Sequence, residues 1–289
     1  MDKSTIYIVS VCDNRYAILL GALLKSIAQN HTSPEVINYY IVDDGISASS
    51  KERLEDCAKG SNLNLQWVPF TEAIASKTNL PSDKSSFPVN VYLRLMIPNF
   101  LPKEAERALY LDVDMIVEKD ITELWSKDLA GKPIAAVVDR SELVSSEWGG
   151  IKNYKELGLR KEARYFNSGL LIMDLAMWRN NNYGDQVIEV VNKNKEFAFF
   201  PDQYGLNVVF ADNWMELDKR WNTLVVTDVE DPCLIHFIGI KPIFAHYDGL
   251  SKYKERFYFY LNDTAWKGYK PQAKWKWMYN KLINKYFSK

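Results

Sequence analysis

The chain has 289 residues, 47% of them hydrophobic and 25% charged, with a formal net charge of −1, which is the composition of a soluble globular protein with a sizeable core. Its longest apolar stretches, Ile6 to Val11 and Gly169 to Met173, fall far short of the roughly 18 residues needed to cross a bilayer, so no transmembrane helix is expected. Cys12, Cys57 and Cys233 match no zinc spacing, and the N-terminus shows no basic start, apolar core and cleavage site, so the expected address is cytoplasmic.

Thr5 to Val11 reads as a buried strand, followed by the polar turn Cys12 to Arg15 and a helical pattern from Tyr16 to Ala28. Val36 to Val42 predicts a second strand, Ser50 to Ala58 a helix and Leu63 to Val68 a third strand. This alternation is that of a Rossmann-like, mostly parallel sheet flanked by helices, in which ligands sit beyond the carboxyl ends of the strands. Thr71 to Pro88 is polar, carries Pro81 and Pro88, and reads as an exposed loop or lid. A helical pattern over Val89 to Phe100 ends at Pro98. Ala108 to Leu111 is a strand, Pro133 to Val138 another that ends at Asp139, and Gly169 to Met173 a further buried one, with polar Trp148 to Tyr165 between them. The economical division is one α/β domain over 1–250 and a tail over 251–289.

The strand at Ala108 runs into Asp112-Val113-Asp114. Two acids at the end of a buried strand must be offset by something cationic, and carboxylate oxygens suit hard ions such as Mg2+ and Mn2+ that keep positions open for phosphates. The same triplet also reads as a solvated turn, or as the nucleophile strand of a haloacid-dehalogenase-like phosphatase. In that class, however, the motif opens the domain and has Thr or Val two residues after the second acid, whereas here it is central and followed by Met115 and Ile116.

From Ser251 to Lys289 ten Lys or Arg face only Glu255 and Asp263, which puts the tail near +8 and the remainder near −9. Twelve aromatic residues interleave with those cations, among them Trp266, Trp275, Trp277, Tyr279, Tyr286 and Phe287. Such a segment suits an anionic membrane surface, at the inner face of the cytoplasmic membrane, or a helix packing its rings on the domain. The acidic body and the lack of a nucleic-acid motif argue against a nucleic-acid partner.

The run Leu109 to Asp114, continued by Asp120-Ile121-Thr122-Glu123-Leu124-Trp125, resembles the metal-binding segment of glycosyltransferase family 8. The resemblance recurs in the family's order from about Ile6 to Lys241: Asp13-Asn14-Arg15-Tyr16-Ala17, Tyr92-Leu93-Arg94-Leu95, Asp139, Tyr165 to Leu171 with Trp178-Arg179, Asp202-Gln203, and His236-Phe237-Ile238-Gly239-Ile240-Lys241-Pro242. The closing block has one residue between Gly239 and Lys241 where the family usually has two, and Ile243 where it has tryptophan.

The resemblance implies a GT-A fold and a retaining transfer of glucose or galactose from a UDP-sugar to a glycan or glycolipid acceptor. It implies Mn2+, with Mg2+ as the alternative, on Asp112, Asp114 and His236. Tyr16 and Asp13 would meet the base, the Val113 backbone the ribose, and Lys241 the diphosphate, with Arg94, Asn167, Ser168 and Gly239 also on the donor. Asp139, Asp202 and Gln203 would lie nearest the reacting sugar, and a poor nucleophile at Gln203 favours same-face attack by the acceptor over double displacement. Read without the family, His236 is a hydrogen-bonded core histidine, Arg94 a surface charge, Asp13 a helix N-cap, Asn167-Ser168-Gly169 a turn, and Asp202 an acid at a helix start. A catalytically inactive sugar-binding module also remains open, although Asp112, Asp114 and His236 are all present.

Overall fold

The structure, a computed structural model, describes residues 5–74, 80–81 and 89–273. Ten strands are described: β1 Thr5–Asp13, β2 Val36–Asp44, β3 Leu63–Pro69, β4 Arg107–Leu111, β5 Met115–Val117, β6 Ile134–Leu143, β7 Arg164–Asp174, β8 Met215–Glu216, β9 Thr223–Leu224 and β10 Leu234–His236. Seven form one sheet in the order β3-β2-β1-β4-β7-β6-β8, and β5-β10-β9 form a second. In the large sheet β7 alone runs antiparallel to its neighbours β4 and β6, and the other pairs are parallel. The mixed, mostly parallel GT-A sheet expected from the sequence is present.

Alternation along β1 explains how the sheet is covered on both faces. Ile6 and Ile8 join Leu20, Leu23 and Leu24 of helix Ala17–Asn30 in one core, whereas Val9 joins Val42, Tyr110 and Leu171 in the other. Each fully buried aliphatic side chain contributes about 1.5–3 kcal/mol. A one-residue slip of β1 would exchange the two faces, which fixes its register on β2.

The first four predicted strands fall where expected, while three expectations are corrected. Val89–Met96 is a 3-10 helix, and a short helix at Ile97–Phe100 carries Pro98 in its first turn, where proline's missing N–H costs nothing; the segment does not stop at Pro98. The strand expected to end at Asp139 continues to Leu143 across a bulge, and Asn167-Ser168-Gly169 lies inside β7 and not in a turn. Of the expected lid, residues 75–79 and 82–88 lie outside the described residues.

In the 251–289 segment, helix Ser251–Leu261 buries Tyr253, Phe257, Tyr260 and Leu261 against Ile18, Leu19 and Phe237. Trp266 lies on helix Ala17–Asn30 at Gly21, where a Cβ would stand 2.5 Å from its ring. Residues 274–289, with Trp275, Trp277, Tyr279, Tyr286 and Phe287, lie outside the described residues. Among the described residues no helix is long and apolar enough to cross a membrane.

Candidate active site

A cleft of about 620 Å³ opens at the carboxyl ends of β1 and β4, and every site residue anticipated from the sequence lines it. Strand pairing is what assembles it. β4 pairs with β7 so that Leu111 faces Leu170, and the Asp112 amide then donates to the Gly169 carbonyl (2.8 Å). β5 pairs with β10 so that Met115 faces His236, and the Phe237 amide donates to the Asp114 carbonyl (2.8 Å). The two acids are thereby fixed beside a histidine more than a hundred residues downstream.

One ligand atom from each of Asp112, Asp114 and His236 lies within 4.8 Å of the others. His236 Nε2 stands 3.4 Å from Asp114 Oδ1 and 3.9 Å from Asp112 Oδ2. The remaining carboxylate oxygens are taken. Asp112 Oδ1 accepts from the Tyr110 hydroxyl (2.6 Å) and from Arg94 Nη2 (3.0 Å), and Asp114 Oδ2 pairs with Lys241 Nζ. This leaves Oδ2, Oδ1 and Nε2 facing a common point.

The imidazole is oriented for ligation. Asn167 Oδ1 accepts from Asn222 Nδ2 (2.9 Å), which turns Asn222 Oδ1 toward His236 Nδ1 (2.9 Å). An amide oxygen cannot donate, so Nδ1 carries a proton and Nε2 is the nitrogen that faces the carboxylates. His236 is thus a buried, hydrogen-bonded histidine whose second ring nitrogen stands beside both carboxylates. Gly169 makes the approach possible, because a Cβ there would lie 2.5 Å from His236 Cε1 and 2.9 Å from Asp112 Oδ2. The donor set, two hard oxygens and one imidazole nitrogen, fits Mn2+ and accommodates Mg2+.

Charge around the cluster is divided unequally. Burial pushes the Asp112 carboxyl above the usual carboxylate range, and Asp114 adds to this, against the pull of Arg94. Burial acts in the same direction on Asp114, but Lys241 and His236 outweigh it and hold that carboxyl well below its ordinary value. Burial would depress Lys241, yet Asp114 keeps its ammonium above the ordinary lysine value.

Arg94 is not the surface charge its helical setting suggests: it is buried, 4.3 Å from the centre of the Tyr110 ring. Its guanidinium donates to Asp112, to the Ser168 carbonyl (2.7 Å) and to the Val91 carbonyl (3.2 Å), and pairs with Asp202 Oδ2 at 3.3 Å. Asp202 lies in the first turn of helix Pro201–Val209 and accepts from the Ser168 hydroxyl (3.0 Å), while Gln203 Oε1 accepts from the Ser168 amide (3.1 Å). Asp139 accepts from Asn167 Nδ2 (2.9 Å) and the Ser141 amide (3.0 Å). Asp13 is not the helix N-cap, which falls at Tyr16. Its carboxylate accepts the Arg15 and Tyr16 amides, and Arg15 grips its second oxygen at 2.9 and 2.5 Å, so any partner in the cleft would share that carboxylate with Arg15. Val113 and Gly239 lie at the wall, the latter with φ +66°.

Sequence reasoning missed Asn222, which belongs to no motif and sits in a short 3-10 turn, and it gave Tyr110 no role although it stands two residues before Asp112.

The sequence profile of the family described as glycosyl transferase family 8 matches residues 7–253. General stress protein A of Bacillus subtilis is 29% identical over 284 residues, covering 90% of this chain and 94% of that protein. In fold the chain is similar to the galactosyltransferase LgtC, solved in complex with donor and acceptor sugar analogues, with a TM-score of 0.74 at 23% identity over 90% of this chain and 96% of LgtC. It is similar also to the bifunctional WbbM, with a TM-score of 0.75 at 21% identity, covering 92% of this chain but only about half (51%) of WbbM.

Proposed function

Because this chain belongs to glycosyltransferase family 8, we propose that it moves a hexose, glucose or galactose, from a UDP-sugar to a hydroxyl of a glycan or glycolipid, retaining the anomeric configuration and using a divalent metal. The observation that carries the proposal is the convergence of Asp112, Asp114 and His236, with Lys241 beside them, on a cleft of nucleotide-sugar size.

Asp112, Asp114 and His236 would hold the metal, which would supply Lewis-acid neutralisation of the departing diphosphate. Lys241 adds a point charge on the same group. Tyr16, Asp13 and the Val113 backbone orient the nucleoside, and Asn167 and Asp139 meet sugar hydroxyls. Arg94 keeps Asp112 and Asp202 aligned with the β7 backbone. Asp202 is engaged by Arg94 and Ser168, and Gln203 is a poor nucleophile, so the acceptor oxygen attacks from the face the diphosphate leaves. The new bond joins that oxygen to the anomeric carbon, the bond from that carbon to the phosphate oxygen breaks, and the acceptor proton passes to the leaving phosphate.

Membrane contact, the expectation for a lipid-linked acceptor, lies with residues 274–289 and the exposed Phe259, because Tyr253, Phe257 and Tyr260 are committed to the core. Sedimentation with anionic vesicles, with and without those residues, tests it; equal binding by the shortened chain rejects it.

The primary experiment measures UDP release from a panel of UDP-sugars with Mn2+, with Mg2+ and after chelation. Release that needs the metal and disappears in Asp112→Asn at unchanged circular dichroism supports the proposal. Metal-independent release, or none from any donor, rejects it, the latter in favour of an inactive sugar-binding module.

A further inference from the structure

Among the described residues five large hydrophobic side chains are exposed: Val36, Trp148, Phe199, Val226 and Phe259. Trp148 and Val226 line the cleft, and Phe199 packs at 4.9 Å against Phe200, which also lines it. Exposed apolar surface gathered at one mouth marks a binding face, unlike single exposed residues scattered elsewhere.

Trp148 is built into place. It is 53% exposed, yet the Ser141 hydroxyl donates to its carbonyl (2.9 Å), and the Ile151 amide closes the loop on the Val144 carbonyl (2.8 Å). Gly149, at φ +73°, lets the loop turn back against Ser141, and a Cβ on Gly150 would strike the carbonyls of Ser146 and Val144. The Arg140 guanidinium lies 3.8 Å from the centre of the indole and covers one face, while the side chain stays half exposed. Phe200 meets the indole edge-on, with centroids 6.4 Å apart at 62°. The result is a rigid aromatic corner. Its anchor, Ser141, donates its amide to Asp139, and Phe200 directly precedes Pro201-Asp202-Gln203, so the corner and the reacting end of the cleft share one frame.

We propose that this corner is the acceptor subsite and that Trp148 stacks on the ring of the acceptor saccharide, with the Phe200 edge as the second wall. The inference rests on the transferase reading above. A pyranose presents a C–H face to an aromatic ring and keeps its hydroxyls at the rim, and a half-exposed indole held from behind takes such a face without reorganising. An extended nucleotide diphosphate has no use for this surface, because its phosphates belong at the metal cluster and Lys241.

The test uses the full-length enzyme with Mn2+, a UDP-sugar it hydrolyses, and a set of acceptor probes: methyl glucosides, methyl galactosides, lactose and maltose. For the best probe, Trp148→Ala is expected to raise the acceptor KM at least tenfold, with the UDP-sugar KM changed less than twofold. Trp148→Phe should recover most of the difference, because stacking needs a ring and not an indole N–H. An unchanged acceptor KM in Trp148→Ala overturns the proposal, as does a parallel loss of donor and acceptor affinity, or hydrolysis of UDP-sugar with transfer to none of the probes. Absence of UDP release from any donor is the distinct outcome that sinks the transferase reading itself.

Discussion

Asn222 Oδ1 lies 2.9 Å from His236 Nδ1, and this contact decides which imidazole nitrogen faces the carboxylates. The amide is itself held by Asn167, whose own amide donates to Asp139, so the imidazole's orientation is set through two further side chains. Outer partners of this kind are worth about 10–100-fold in metal affinity. Asn222→Ala is expected to weaken Mn2+ binding by roughly that factor at an unchanged fold, read by electron paramagnetic resonance titration of free Mn2+. Affinity equal to the wild type would show that His236 needs no such partner.

Arg94 neutralises two buried acids at once, so its loss leaves Asp112 and Asp202 without their shared cation. Removing one partner of a buried ion pair costs about 3–5 kcal/mol, and Arg94→Leu is expected to lose stability in that range by urea unfolding at pH 7. Mn2+ should restore part of it by supplying charge beside Asp112. Arg94→Lys should not recover it, because an ammonium cannot reach Asp112, Asp202 and the Ser168 carbonyl together. Full stability in Arg94→Leu would contradict the burial argument.

Much of this arrangement is legible in the amino-acid sequence, for identifiable reasons. Strands β1 to β4 leave apolar runs bounded by polar turns, and Asp112 and Asp114 stand out because an acid interrupting such a run needs an explanation. His236 is the last residue of the three-residue strand β10, and Asn222 directly precedes the two-residue β9 that pairs with it, elements too short to leave any periodicity. The burial of Arg94 was equally hidden, since the segment that carries it is a 3-10 helix whose apolar spacing imitates an α-helix. Trp148 sits in a polar stretch whose two glycines announce a turn but not what it presents.

Asp120 ties the end of helix Ala17–Asn30 to the loop after β5. Its carboxylate accepts from the amides of Thr32, Ser33 and Thr122, from both hydroxyls and from His31. Burial alone would raise this acid, but those donors hold it far below the usual carboxylate range. A depressed folded value means that the contribution is fully present above the unfolded value, about 3.9, and is lost as pH falls toward the folded one. Asp120→Asn should therefore be less stable than wild type at pH 7, with the gap narrowing between about pH 4 and pH 2. Urea unfolding of both proteins across that range checks it, and a gap that widens on acidification reverses the sign.

Lys241 and a metal want the same carboxylate. The ammonium pairs with Asp114 Oδ2 and donates to the Phe237 carbonyl (2.7 Å), so it stands as a resident counter-ion next to the proposed ligand oxygen. A divalent cation and an ammonium about 4 Å apart repel by roughly 8 kcal/mol at an effective dielectric of about 20, part of which is relieved when the flexible lysine stem swings toward a diphosphate. Removing the charge should therefore act in opposite directions on the two ligands. Lys241→Gln is expected to bind Mn2+ alone more tightly, by roughly tenfold or about 1.4 kcal/mol, because Asp114 loses a competing partner. The same substitution is expected to raise the UDP-sugar KM about tenfold or more, because the diphosphate loses its point charge. Mn2+ titration and donor kinetics on one preparation read both effects. A parallel weakening of metal and donor would mean that Lys241 serves to hold Asp114 in place, and its assignment to the diphosphate would fail.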